Sequence, residues 1–170
     1  SFDIMKIFGS MFEDCTALES VDMTNVKMPY TEDLSNMFAN CTSLTDLKMN
    51  FETPCVQNMN SMFKNCSSLI NLDISTFITN QVTDMGEMFS GCSKLRDINN
   101  NEKGNIHRAY FTNFKTPEVK NMESMFKDCE SLNILDLSSF NTKSVVNFDS
   151  MFENCSNLLS IYSKRSNKNT

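Results

Sequence analysis

One stretch of the sequence decides the fold, and it reads Phe51-Glu-Thr-Pro-Cys-Val-Gln-Asn-Met-Asn-Ser-Met-Phe-Lys-Asn-Cys-Ser-Ser-Leu-Ile-Asn-Leu-Asp-Ile-Ser75. It contains the dipeptide Met-Phe followed three residues later by Cys, a unit that occurs six times in the chain. The copies end at Cys15, Cys41, Cys66, Cys92, Cys129 and Cys155, so they are spaced by 26, 25, 26, 37 and 26 residues. A period near 25 residues indicates a repeat architecture in which neighbouring units stack and bury a shared core.

The first half of each repeat predicts a short helix. In the third repeat, Val56, Met59, Met62, Phe63 and Cys66 recur with the 3.6-residue period of one apolar helix face. An Asn or Asp stands where each helix would begin and can accept a hydrogen bond from a free N–H of the first turn. The residue before each Cys is Asn, Asp or Gly, the types that tolerate the left-handed conformation at a helix end. The predicted starts are Asp33, Asn58, Asp84, Asn121 and Asn147.

The second half of each repeat predicts a strand. Leucine and other apolar residues follow the Cys in the pattern Leu-x-x-Φ-x-Φ, as in Leu69, Leu72 and Ile74, and the last two alternate as in a half-buried strand. A return segment of the form Phe-x-Thr, such as 51–53, then leads to the next repeat. The predicted fold class is α/β: a leucine-rich-repeat-like solenoid of six strand–turn–short-helix repeats of about 25 residues, with one parallel sheet.

One repeat is about eleven residues too long, and the excess lies between Ile98 and Phe114. This predicted insertion loop, 99–113, carries the only histidine of the chain beside basic and aromatic residues: His107, Arg108, Tyr110 and Phe111. Insertions in repeat proteins often map to the binding face. The alternative is a tolerated insertion whose aromatic residues fold back on the solenoid. We predict a single solenoid over 1–162, followed by a flexible polar tail at 163–170.

Composition narrows the function. The chain has 170 residues and a net charge of −6, which disfavours binding to nucleic acid. No apolar run is long enough for a transmembrane segment. A single histidine and the absence of any Cys-x-x-Cys pair predict no metal, no cofactor and no enzymatic activity. The repeated cysteines are predicted to be buried structural thiols, with Cys55 as an exposed exception.

The outward strand positions are the candidate binding surface. They form a mixed, mostly acidic stripe that suits a protein with basic patches or a glycan, and the alternative is a solvated face that keeps the protein soluble. Asn99 and Tyr162 occupy equivalent positions in their repeats. The candidate partner-binding residues of the stripe and the insertion are Asp22, Asp46, Lys48, Asp73, Arg96, Asp97, Asp136, His107, Arg108 and Tyr110.

The repeats resemble a known family. The run Asn121-Met-Glu-Ser-Met-Phe126, with Cys129, Leu132 and Leu135-Asp-Leu-Ser-Ser-Phe-Asn-Thr142, is similar to the BspA-like leucine-rich-repeat surface proteins of the Mycoplasma-type lipoprotein class. The resemblance implies a right-handed parallel solenoid, a cell-surface or secreted location, and adhesion through a protein or glycan on another cell or in the same assembly. It implies no catalytic residues, and the start of the chain has no signal-peptide pattern.

An alternative function is structural. The chain could serve as a subunit that stacks into a shell, array or filament by self-association through the solenoid ends, because solenoids usually need polar capping repeats and neither end has a clear one.

Overall fold

The computed structural model describes residues 8–99 and 107–163. Residues 100–106 of the predicted insertion loop and the predicted tail from 164 onwards lie outside this range. The chain forms a parallel β-solenoid of about five coils. Every strand pairing is parallel. The strands are β1 (Ser20–Met23), β2 (Asp46–Met49), β3 (Asn71–Leu72), β4 (Asp97–Ile98), β5 (Arg108–Tyr110), β6 (Ile134–Leu137) and β7 (Ser160–Ser163).

The described strands form two sheets where the sequence predicts one. β1 pairs with β2, and β3 to β7 form a five-stranded sheet in chain order. The break between β2 and β3 falls where the repeat is one residue short, since Met49 is two residues before Phe51 whereas Ile74 is three before Phe77.

The predicted short helices are not found in the described residues, where the same segments form consecutive turns. Two features prevent an α-helix. Each segment contains two left-handed residues, for example Ser61 with φ 56° and Asn65 with φ 58°. Its N–H groups also bond to the next coil, as from Phe38 N to Met62 O at 2.9 Å, whereas a helix needs them for its own carbonyls. The number of six repeats stays a prediction.

The polar residues predicted to cap helices open these turns. Asn58 Oδ1 accepts a hydrogen bond from Asn60 N at 3.0 Å, and equivalent bonds recur along the solenoid. The column of isolated parallel bridges consists of Asp33, Asn58, Asp84, Asn121 and Asn147. The left-handed conformation predicted before each Cys is confirmed, with φ between 58° and 75°. It occurs at Asp14, Asn40, Asn65, Gly91, Asp128 and Asn154.

The core consists of rows of identical side chains, as the repeat predicts. Successive rings of the Met-Phe phenylalanines stack with centroids 5.3 to 5.9 Å apart. The thiols form a parallel row, in which Cys66 Sγ donates to Phe38 O at 3.2 Å and four other cysteines make the same bond. Burial raises the pKa of the Cys66 thiol far above its ordinary value. Cys55, predicted to be exposed, is half-buried. The prediction of buried thiols is wrong for Cys15 of the first coil, which is exposed, and Cys155 of the last coil is half-buried.

A third row consists of buried threonines from the return segments. Thr53 Oγ1 donates to Ile78 O and accepts from Ile78 N, both at 2.9 Å, and Thr79 and Thr116 repeat this arrangement. One hydroxyl therefore satisfies both backbone groups of a residue in the next coil. Thr31 stands at a different repeat position, and its buried Oγ1 has no hydrogen-bond partner among the described residues.

Part of the predicted insertion loop is a strand. β5 lies between β4 and β6 in the sheet, while on the opposite side of the solenoid Asp84 bridges directly to Asn121. The sheet side therefore has one layer more than the turn side. Phe111 fills the resulting space, fully buried, and its ring meets four others edge to face: Phe89, Phe114, Phe126 and Phe140. Within the described residues there is no helix long and apolar enough to cross a membrane.

Candidate functional site

The candidate site lies on the outer face of the five-stranded sheet, where alternation along each strand sets which side chains face outward. In β5, Ala109 is fully buried, so its neighbours Arg108 and Tyr110 stand on the outer face. In β6, Leu135 and Leu137 are buried and the residues between and before them are half-buried. The inserted strand therefore adds its long polar and aromatic side chains to the face of the sheet.

Strand register brings these side chains into two columns. Tyr110 is paired with Asp136, and Asp136 with Tyr162, so a carboxylate lies between two tyrosines. In the adjacent column, Arg108 is paired with Ile134. We define the β5–β7 patch as Arg108, Tyr110, Ile134, Asp136 and Tyr162.

Contacts at the start of β5 hold the patch in place. Asp97 Oδ1 accepts from Arg108 N at 3.1 Å, and Asp97 Oδ2 lies 2.8 Å from His107 Nδ1. Arg108 NH1 donates to the Tyr110 hydroxyl at 3.0 Å, and its guanidinium carbon lies 6.0 Å from the centre of the Tyr110 ring. Asp97 thus fixes the start of the strand, and Arg108 fixes the tyrosine ring.

Three aspartates of the predicted stripe also shape the turn after their strand. Asp136 Oδ1 accepts from Ser138 N at 2.9 Å, and Asp73 and Asp22 make the same contact two residues on. The hydrogen bond from the Thr24 backbone, with one from its hydroxyl, lowers the pKa of Asp22. One carboxylate oxygen of each of these residues therefore has a structural role, which the outward position alone did not indicate.

The remaining stripe residues are placed differently. Lys48 Nζ lies 3.7 Å from Asp46 Oδ2 on an exposed surface, and Lys48 is paired with Asp22 across β1 and β2. Exposed ion pairs of this kind contribute little energy. Arg96 is exposed just before β4, and its backbone N donates to Ile70 O. The structure therefore brings together Asp97, His107, Arg108, Tyr110 and Asp136, and it leaves Asp22, Asp46, Lys48, Asp73 and Arg96 outside this group.

Sequence reasoning missed Ile134 as a surface residue and did not place Tyr110 beside Asp136. A signal for the outward position of Tyr110 was present, because Arg108-Ala-Tyr-Phe111 alternates long polar side chains with apolar ones, as a strand does. The alternation was overlooked because the whole insertion was predicted to be a loop. Within residues 8–99 and 107–163, no group of three or more His, Cys, Asp or Glu side chains could hold a metal ion.

The last coil exposes a second kind of surface. Val146 and Leu159 are 83% and 80% exposed. A cleft of about 400 Å³ is lined by Phe140, Phe148, Phe152 and Ile161 among others. This end of the solenoid is apolar, unlike the charged face of β1 and β2.

Comparison with known proteins supports the fold. The T. pallidum leucine rich repeat protein (TpLRR) matches with a TM-score of 0.53 and 21% sequence identity, over 91% of this chain and 60% of that protein. The chain therefore spans less than two thirds of TpLRR, and the likeness shows the fold. Among curated proteins, none is significantly similar in sequence. A family model described as "Mycoplasma protein of unknown function, DUF285" matches residues 6–111 and 101–169. Together these findings confirm the resemblance to BspA-like leucine-rich-repeat proteins.

Proposed function

The chain belongs to the DUF285 family of Mycoplasma proteins of unknown function, and on this premise we propose that it is a non-enzymatic module that binds a protein partner through the β5–β7 patch. A leucine-rich-repeat-like solenoid suggests a protein-interaction role in general. The observation that carries the specific proposal is the inserted strand, which places Arg108 and Tyr110 on the sheet face.

The composition of the patch supports a protein partner. Tyrosine and arginine are enriched among the residues that dominate binding energy at protein interfaces. The patch has two tyrosines, one arginine and one isoleucine around a single carboxylate, and Tyr162 is 51% exposed. The face of β1 and β2, by contrast, has one lysine beside two aspartates, and the Lys48 and Asp46 side chains are largely solvated.

The setting of this binding is a cell surface or the secreted state, and the activity is adhesion. Both parts of the proposal are supported by the Mycoplasma-type family and its resemblance to surface proteins. A protein ligand is favoured over a glycan because Arg108 already occupies one side of the Tyr110 ring, which leaves less flat aromatic surface for a sugar ring.

A display selection tests the proposal. A random peptide library is selected against the protein, and the enriched peptides are titrated against Tyr110→Ala and Tyr162→Ala variants. We expect affinity to fall at least tenfold for both. Tyr30→Ala is the matched control, since Tyr30 is equally exposed (52%) but lies in a turn away from the five-stranded sheet. Peptides that bind all three variants equally would refute the patch as the binding site. If glycans on an array bind the protein and lose binding in Tyr110→Ala and Tyr162→Ala but not in Tyr30→Ala, the ligand is a glycan and not a protein.

The apolar last coil favours a second candidate, a subunit that stacks on copies of itself. The occupant would be the first coil of another copy, because its Phe12 ring and four-residue β1 could continue the rows that end at Phe152 and four-residue β7. Light scattering at increasing concentration is the test. An average mass that rises above the monomer mass in the original protein, and stays at the monomer mass in Leu159→Lys, would support stacking. A constant monomer mass in the original protein would reject it.

A further inference from the structure

We infer that Tyr110, Asp136 and Tyr162 form a subsite for one basic side chain, an arginine or lysine, of the protein partner. This inference rests on the proposed function and names the chemistry of its central contact. The three residues belong to neighbouring strands, β5, β6 and β7, in direct register.

Strand spacing gives the subsite its dimensions. Neighbouring strands lie about 4.8 Å apart, so the Cα atoms of the two tyrosines flank Asp136 at a separation of about 10 Å. A cation above the carboxylate lies midway between these two strands, and it comes within the roughly 6 Å range of a cation–π interaction when each ring turns a face toward it. The same position lets the cation pair with Asp136, so the carboxylate and both rings act on one charge.

The subsite is held in shape before a partner arrives. Asp136 Oδ1 accepts from Ser138 N, which restrains the carboxylate. Arg108 NH1 holds the Tyr110 hydroxyl. A ligand side chain therefore orders few protein groups on binding, which lowers the entropic cost of the contact.

Asp136 and the charge of the whole chain favour a cation, while the nearest basic side chain opposes one. Arg108 is a positive group beside the subsite, with its guanidinium carbon 6.0 Å from the centre of the Tyr110 ring. The Asp97 carboxylate, which accepts from Arg108 N, offsets part of that charge from the side away from Asp136. The net charge of −6 attracts a basic partner over a longer range.

The first test uses small probes and the intact chain. N-acetyl-arginine methylamide and its neutral isostere N-acetyl-citrulline methylamide are titrated to 50 mM while the tyrosine ring resonances are followed by NMR. We expect saturable shifts of the Tyr110 and Tyr162 rings with the arginine probe and at least fivefold weaker binding of the citrulline probe. Equal responses to the two probes, or no response to arginine at 50 mM, would overturn the subsite.

The second test removes the charge and keeps the turn. Asp136→Asn retains an Oδ1 acceptor for Ser138 N, and Asp73→Asn is the matched control because Asp73 makes the same contact to Ser75 N without tyrosines in register beside it. We expect Asp136→Asn to weaken the arginine probe and the selected peptides at least fivefold, and Asp73→Asn to leave both unchanged. Unchanged binding by Asp136→Asn would show that the Asp136 carboxylate does not bind the basic side chain, and the subsite would be wrong.

The outcomes separate the two proposals. If the selected peptides depend on Tyr110 and Tyr162 but carry no preferred Arg or Lys, the subsite is wrong and the protein-binding patch stands. If no selected peptide depends on either tyrosine, the proposed function itself fails.

Discussion

Two buried threonines show how the position of a single hydroxyl decides its effect. Thr53 Oγ1 satisfies both backbone groups of Ile78, whereas Thr31 Oγ1 is buried with no partner among the described residues. Four other repeats have valine at the position of Thr31, at residues 56, 82, 119 and 145. Substitution of threonine by valine should therefore have opposite effects on stability at residues 31 and 53.

We expect Thr31→Val to raise the free energy of unfolding by about 1–2 kcal/mol, because it replaces an unsatisfied buried hydroxyl by a methyl group of the same size. Thr53→Val should lower it by about 2–3 kcal/mol, since the Ile78 N–H and carbonyl lose their partner. Urea unfolding followed by circular dichroism measures both. A loss of stability in Thr31→Val would mean that its hydroxyl has a partner.

Gly91 shows a second constraint at the residue scale. Its φ is +75°, and a Cβ there would collide with Asn65 Oδ1. Asn65 cannot move freely, because its Nδ2 donates to Asn40 Oδ1 at 2.7 Å. We expect Gly91→Ala to destabilise the protein by about 2 kcal/mol, the sum of a strained backbone and a displaced amide. In a double-mutant cycle with Asn65→Ala, the collision should disappear and about 1 kcal/mol of backbone cost should remain; strict additivity would contradict the contact.

At the scale of elements, the sequence predicted the strands well and the helices poorly. Leu-x-x-Φ-x-Φ located the strands because its final alternation is typical of a half-buried strand and does not fit a helix face. The spacing of Met59, Met62 and Phe63 fits a helix, but a coil of tight turns places the same side chains inward. The helix and the coil of turns differ in the acceptors of their backbone N–H groups, which here are carbonyls of the next coil. The sequence of one repeat does not show this, because the acceptors belong to the neighbouring repeat. The Asn or Asp at the start and the left-handed residue before Cys were correct because both act locally.

The insertion was the harder element, since its strand is defined by partners 11 and 26 residues away. Phe111 is the residue that anchors it, through edge-to-face contacts with centroids 5.1 to 5.9 Å apart. We expect Phe111→Ala to cost about 3–5 kcal/mol, as for other fully buried phenylalanines. Because the ring fills the extra layer under β5, the variant should also lose hydrogen-exchange protection first at Ala109 and Tyr110. Uniform loss along the solenoid would indicate that β5 is not a separate layer.

At the scale of the whole molecule, the rows make every coil depend on the next. Each thiol that donates to a carbonyl does so across a coil boundary, and each inner ring of the Met-Phe row stacks on the rings before and after it. Stability in such an array is close to a sum of coil and interface terms. A perturbation that acts on every member of one row should therefore destabilise the entire domain. The row of buried thiols can be perturbed in this way, because all its members titrate.

Alkaline pH is that perturbation. Burial raises the pKa of Cys66, Cys92 and Cys129 well above the ordinary value of 9.0, and raises that of Cys41 to about 11. Below pH 9 these thiols are protonated in both the folded and the unfolded chain, and the stability is fully present. Above pH 9 the unfolded chain releases protons that the folded chain retains, so stability falls. The four thiols together predict a slope of about 5 kcal/mol per pH unit once the unfolded chain has released their protons. Urea midpoints measured under reductant from pH 7.5 to 10.5 should therefore be flat to about pH 8.5 and then drop. In Cys92→Ala the slope should decrease by about a quarter, while Met88→Leu, a buried substitution at a residue that does not titrate, should leave it unchanged. Midpoints that stay level to pH 10.5 would show that the thiols ionise within the folded chain and that the row is open to solvent.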